Sequence, residues 1–281
     1  TTLRSAGNLT LQGYSYAASG SGRGVDLNND VIAASGTVSM TGQHNTGATY
    51  ALSLSGSTSI TAGTGVTLES LNNNTGTIAL LSSGGINGGS GTVLMRAANY
   101  AFGGADRTIT TTGVLTIQPD ADENSFASSF DNQYLNPVSV TGLTLGKSSN
   151  ASAITLSRAI SLSGPVSIYG GSIDVNANIT ANSGNILLDA DTGSTLNQSS
   201  TGILLDDAIT IETVTSGNLT LIGRSGDTGS GFDGIDASSA NTTTLRSAGN
   251  LTLQGYSYAA SGSGRGVDLN NDVIAASGTV S

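Results

Sequence analysis

The fold this sequence predicts is all-β, a parallel β-helix or solenoid, and three observations carry the prediction. Residues Thr1–Ser39 return, residue for residue, as Thr243–Ser281, an offset of 243 − 1 = 242, so the 281 residues hold one full period and the start of the next. Apolar and polar residues alternate in short runs along nearly the whole length, the pattern of half-buried strands. Glycine punctuates those runs at intervals of roughly 20–33 residues, the period range of solenoids and arrays.

Composition narrows the class. With 40 Gly, no Cys, no Trp and 4% aromatic residues, the chain lacks the usual content of a globular core, and 10% charged residues is too few for charge-driven disorder. Three prolines exclude collagen and Pro-rich stalks. The net charge of −10 and nine dispersed cations exclude a phosphate-binding surface, hence nucleic acid. No run approaches the ~20 apolar residues of a membrane span. The absence of cysteine leaves no disulfide framework and is compatible with export through a bacterial envelope.

Taken in order, the strands begin with Leu9 and Leu11, which share one face of Asn8–Leu11. Val38 with Met40, Leu52 with Leu54, Val66 with Leu68, Ile78 with Leu80 and Leu115 with Ile117 repeat the arrangement. It continues through Val138 with Val140, Leu143 with Leu145, Ile154 with Leu156, Ile160 with Leu162, Val166 with Ile168, Ile173 with Val175, Ile209 with Ile211 and Leu219 with Leu221. A glycine precedes a strand at Gly7, Gly36, Gly65, Gly91, Gly113, Gly164, Gly184, Gly217 and Gly249, with one wide gap that divides near Asn136-Pro137. That makes about nine coils per period. Residues 1–242 form one repeat and 243–281 open the next without a true boundary. At the inter-strand spacing of about 4.8 Å, nine coils rise about 43 Å. Glycine is expected at corners needing positive φ. Stacked asparagines are expected to form amide ladders, as at Asn28-Asn29 and Asn72–Asn74.

Gln118–Pro137 departs from the pattern. Phe126, Phe130 and Tyr134 lie at i, i+4 and i+8, the spacing of one helical face, with Asp122 or Asn124 placed to cap it and Pro137 to end it. A short helical or loop insert near 120–136 is expected, its aromatics either buried on the coil beneath or, with Asp122 and Glu123, forming a lateral contact with a partner. A second loop-rich stretch, Gly223–Thr242, holds Asp227, Asp233 and Asp236. These are weak Ca²⁺ candidates, because their spacing matches neither the twelve-residue Ca²⁺ loop nor the Ca²⁺-binding nonapeptide repeat.

Catalytic chemistry is not expected. The single histidine, His44, is read as an exposed turn residue. Asp206-Asp207 and Asp189 with Asp191 are carboxylate pairs that fit a solvated edge, and no Trp supplies a sugar platform. Gly84–Gly89 lacks the lysine of a phosphate loop. Outward threonines do not recur as the regular column an ice-binding face needs.

The run Thr141–Ile179, with the following Asn185–Asp191 and the repeated Gly-Asn-Leu-Thr-Leu and Gly-Thr-Val-Ser-Met strands, resembles the β-strand repeats of giant bacterial exoproteins of the filamentous-haemagglutinin-like adhesin type. The resemblance is clearest over residues 141–222. It implies a right-handed parallel β-helix, an extracellular or cell-surface location, and a structural role in attachment, cell–cell contact or biofilm. Implied partners are further copies of the repeat, neighbouring fibres, and a host or neighbouring cell surface or glycan. No catalytic residues transfer. The alternative is a secreted β-helix that binds or cleaves carbohydrate.

Overall fold

The computed structural model describes all residues except 17–21, 45–49, 72–74, 82–83, 121–122, 191–199, 207, 229, 239–241 and 271. Among the described residues there are strands, turns and bends but no helix, and every strand pairing is parallel. Within each unit the strands stack in parallel on three faces of a β-helix. Contacts divide it into two compact units, Thr1–Ser128 with Tyr134–Thr144, and Ser129–Gln133 with Leu145–Ser281.

In the first unit, face one stacks Leu9–Ser15, Val38–His44, Val66–Ser70, Val93–Arg96 and Val114–Gln118. Its register places Leu9, Val38, Val66, Val93 and Leu115 in one row, and Leu11, Met40, Leu68, Met95 and Ile117 in the next inward row. From Val38 onward these inward side chains are essentially fully buried. The residues between them, Thr10, Ser39, Thr67 and Thr116, face outward because successive strand side chains point to opposite sides. Each buried aliphatic contributes about 1.5–3 kcal/mol, and it does so only because a neighbouring coil covers it. Face two stacks Arg23–Asn28, Tyr50–Ser55, Thr77–Leu80 and Asn99–Phe102. Face three stacks Thr2–Ser5, Val31–Ala34, Ser59–Ala62, Ile86–Asn87, Arg107–Thr110 and Leu135–Pro137.

The second unit repeats the plan. Face one stacks Val166–Tyr169, Ile186–Ala190, Leu219–Arg224 and Leu251–Tyr256. Face two stacks Phe130–Asp131, Ile154–Leu156, Ile173–Val175, Ile203–Leu205, Ile235–Ala237 and Val267–Leu269. Face three stacks Ile160–Leu162, Ile179–Ser183, Thr210–Ser216, Thr244–Ser247 and Val273–Ala276. The repeat boundary at 242/243 therefore lies inside this unit. Leu245 pairs with Ile211, Leu251 with Leu219 and Val267 with Ile235, in the same parallel ladders as every other coil.

The corners show why Gly-Asn opens several coils. Asn185 Oδ1 accepts the amide of Asn218 at 2.8 Å, Asn218 Oδ1 that of Asn250 at 2.9 Å, and Asn250 Oδ1 that of Thr279 at 2.9 Å. In the first copy Asn8 Oδ1 accepts the amide of Thr37 at 3.0 Å, the same bond 242 residues earlier. Each asparagine thus satisfies a backbone donor one coil ahead that the ladder leaves open. At Asn28-Asn29 the expected stack of side-chain amides is replaced by a bond to the backbone, Asn29 Oδ1 accepting the Ser57 amide at 2.9 Å; Asn72–Asn74 lie outside the described residues. Glycine beside these asparagines answers to close approach as much as to dihedral angle. Gly184 and Gly217 have positive φ, whereas at Gly249 an added Cβ would sit 2.5 Å from Asn218 Oδ1.

Among the described residues Arg107 is the largest fully buried side chain. Its guanidinium donates to the carbonyls of Gly84 at 2.7 Å, Leu54 at 3.2 Å and Thr58 at 3.3 Å. Burial lowers its pKa to about 10, which leaves it cationic at neutral pH. It ties its own coil to the two preceding corners, Leu54–Thr58 and Gly84, as a guanidinium's fan of donors permits.

Three expectations are corrected. The helical alternative for the insert near 120–136 fails among its described residues, because backbone donors go to neighbouring coils instead of to carbonyls four residues back. Ala127 N bonds Ala98 O at 2.9 Å, and Phe130 N bonds Ala153 O at 3.0 Å. Val138–Val140 is no strand: Val138 is exposed, Ser139 has φ +57°, and the face-one strand there is Gly142–Leu145. His44 is not an exposed turn residue but the buried end of the strand Val38–His44.

Candidate functional site

Phe126 and Tyr134 pack on one face-two strand of the first unit, Asn99–Phe102, whereas Phe130 belongs to the second unit. Phe126 is buried, edge-on to Tyr100 with ring centroids 5.9 Å apart. Tyr134 lies tilted against Phe102 at 6.4 Å. Phe130, in the second unit, is buried in the inward row of face two beside Ile154. Phe126 and Phe130 are thus core side chains, unable to meet a partner. Glu123 is half-buried, its amide bonded to Asp120 O at 3.1 Å, and Asp122 lies outside the described residues.

The chemistry-bearing surface is the outward row of face two in the second unit. Register aligns Asp131, Thr155, Asp174, Leu204, Asp236 and Asp268. The inward partners, Phe130, Ile154, Ile173, Ile203 and Ile235, are buried, and Val267 ends the row half-buried. Alternation therefore projects the aspartates to the outside. Carboxylates stacked at coil spacing repel one another unless hydrogen bonds or cations intervene. Asp131 Oδ2 accepts from Ser157 Oγ at 3.0 Å. The Asn176 amide, oriented with its nitrogen toward both carboxylates, donates to Asp174 Oδ1 at 2.8 Å and Asp206 Oδ2 at 3.1 Å. Burial raises the pKa of Asp174; the Asn176 bond opposes this, while the negative charges of Asp206 and Asp131 add to the rise.

At the repeat junction the row becomes a cluster. Carboxylate oxygens of Asp233, Asp236 and Asp268 all lie within 4.8 Å of one another. Asp233 is buried and accepts from the Arg265 amide, Asp236 accepts from the Ser238 amide at 2.8 Å, and Asp268 is paired with the Arg265 guanidinium. Of the three aspartates singled out from sequence, Asp233 and Asp236 meet here and Asp227 does not. The third member is Asp268, which belongs to the next repeat copy. A signal for it was present: Gly234-Ile235-Asp236 and Gly266-Val267-Asp268 share a pattern 268 − 236 = 32 residues apart, one coil. Three carboxylates supply part of the six to eight oxygens that Ca²⁺ takes, and Arg265 already answers one of them.

The second copy also carries exposed aromatics at and just beyond the strand Leu251–Tyr256. Tyr256 and Tyr258 have centroids 6.4 Å apart. The Arg224 guanidinium lies 4.5 Å from the Tyr258 ring centre, and the Tyr258 amide donates to Ser225 Oγ at 2.8 Å. This patch, like the carboxylate cluster, is assembled from the end of one period and the beginning of the next. Among the described residues no helix is long and apolar enough to cross a membrane. Comparison with family models, with curated proteins and with solved structures returned no match to the chain.

Proposed function

We propose that this chain is a structural segment of a long extracellular bacterial fibre or adhesin, in which tandem 242-residue periods extend one β-solenoid that serves attachment, cell–cell contact or matrix formation. The observation that carries the reading is the junction. The second copy's strands stack on the preceding coil in ordinary register, so another copy of the period adds coils without requiring a cap or a linker. An acidic, lysine-poor exterior keeps such a surface soluble and self-repelling along its length. Chemistry is not its evident business: the inward rows are mostly aliphatic, and the carboxylates that converge at the junction are held by the Arg265 guanidinium and by the backbone amides of Arg265 and Ser238.

The test is electron microscopy of the native material, with antibodies to the repeat and image averaging along any labelled filament. Labelled fibres at the cell surface or in culture fluid, with an axial repeat near ~43 Å for about nine coils, are the expected result. Label confined to the cell interior, or beads separated by linkers, would overturn the reading.

A further inference from the structure

We propose that the outward groove beside Tyr14 on face one binds a neutral glycan, and that Tyr256 carries the same contact into the next period. The inference rests on the surface-fibre reading above and names the chemistry of one of its contacts.

Alternation builds the groove. In the strand Leu9–Ser15, Leu9, Leu11 and Gly13 turn inward, which sends Gln12 and Tyr14 outward. In Val38–His44, Val38, Met40 and Gly42 turn inward, which sends Thr41 and Gln43 outward. Parallel register sets Gln12 beside Thr41 and Tyr14 beside Gln43. Leu71 adds a wall from the third coil, and the open space between them is about 290 Å³. The floor is close-packed backbone: a Cβ on Gly42 would lie 2.0 Å from the Ala51 carbonyl oxygen.

The two copies show the two flanks of the tyrosine. Tyr14 has the following coil beside it, with Gln43 in register, and is 44% exposed. Tyr256 has the preceding coil beside it, with Arg224 in register, and is 38% exposed. The outward direction of the ring is set within its own strand. A second ring accompanies it in each copy, Tyr16 at 4.2 Å from Tyr14 and Tyr258 at 6.4 Å from Tyr256.

The lining selects the ligand. It is phenol, amide, hydroxyl and aliphatic, without a charged side chain, on a chain of net charge −10. The side chains of Gln12, Thr41 and Gln43 make no hydrogen bond to other described residues. The groove along Asn87, Ser90, Thr111 and Thr112 differs in this respect, because its hydroxyls donate to the carbonyls of Gly63, Gly91 and Gly89. In the second copy the Gln254 amide, counterpart of Gln12, donates to the Tyr256 hydroxyl, so amide and phenol reach one ligand atom together. A sugar ring offers an apolar C–H face and an edge of hydroxyls. Tyrosine takes the face with its ring and keeps its polar tip wet. Each glutamine amide offers a donor and an acceptor to the hydroxyls. The net charge disfavours an anionic ligand, and Arg224 lies over the Tyr258 ring, 4.5 Å from its centre. A protein partner needs about 800 Å² on each side, whereas this groove sits at the small end of ligand pockets, which begin near about 300 Å³.

The experiment uses the 281-residue chain on a printed array of neutral hexose and N-acetylhexosamine oligomers beside uronic-acid and sialylated ones. Affinity electrophoresis in the best ligand follows. The expected result is binding to neutral oligomers. Tyr14→Ala combined with Tyr256→Ala should weaken it about tenfold, and Gln43→Ala about fivefold. Tyr14→Phe with Tyr256→Phe should retain most of it, because the ring face remains. All of these side chains point outward, so urea unfolding of the variants should match wild type. No neutral oligomer bound, binding to acidic oligomers alone, or wild-type affinity in the double alanine variant would each overturn the proposal. Antibody-labelled surface fibres from a chain that binds no neutral oligomer would remove this site and leave the fibre reading. Label confined to the cell interior would remove the fibre reading whatever the array shows.

Discussion

Gly249 should not tolerate alanine. An added Cβ there would lie 2.5 Å from Asn218 Oδ1 and 2.8 Å from the Gly217 carbonyl oxygen of the coil beneath. A relaxed carbon–oxygen contact is about 3.3 Å or more, so the corner must move by roughly 0.5–0.8 Å. Such overpacking costs about 1–3 kcal/mol. Moving Asn218 also endangers its bond to the Asn250 amide, worth about 1 kcal/mol. Gly249 does not have a positive φ, so dihedral strain adds nothing to the cost. Gly249→Ala should therefore cost about 2–4 kcal/mol locally. Amide hydrogen exchange resolved by residue is the assay. Exchange in Leu251–Tyr256 should accelerate roughly 30- to 700-fold in Gly249→Ala. An unchanged rate would refute the claim that the second copy stacks on the coil before it.

Three further outcomes follow from named contacts. Arg107→Met removes the donor to Leu54, Thr58 and Gly84 and should lower the stability of the first unit by about 2–4 kcal/mol in urea unfolding; a loss below about 0.5 kcal/mol would show the three carbonyls to be satisfied without it. Asn218→Ala should cost about 1 kcal/mol and speed exchange at the Asn250 amide, and an unchanged amide would mean that the corner ladder contributes nothing. Asp174 has a raised folded-state pKa, so the native state holds its proton to higher pH than the unfolded chain. Its unfavourable contribution is absent below the unfolded value of 3.8 and grows as pH rises toward the folded pKa. Asp174→Asn should accordingly stabilise the protein at pH 7 relative to wild type, with the difference vanishing below about pH 3.8; a difference that widened with acid would reverse the assignment.

Much of the architecture was legible because a β-solenoid writes its period into the chain twice. Alternation every two residues marked Leu9 with Leu11 and Val66 with Leu68 as inward pairs, since only that spacing puts both on one side of a strand. Glycine spacing marked the coils. The exact return of Thr1–Ser39 marked the period. The insert misled for a physical reason. Three aromatics at helical spacing describe a helix only if their backbone bonds stay local, and here Ala127 and Phe130 spend theirs on Ala98 and Ala153. His44 likewise ended a strand that continued further than its alternating apolar residues.

What the sequence determined by itself is therefore the part fixed by short-range periodicity: strand, coil, repeat and the all-β class. What only the tertiary structure decided is which residues from different coils stand side by side. Asp233, Asp236 and Asp268 converge, Asp227 does not, and Asn218 reaches Asn250, because parallel register brings together positions about 32 residues apart. The length of each coil, variable along this chain, sets that register. No local pattern encodes it, since the pairing energy of one coil is decided by the coil on which it lies.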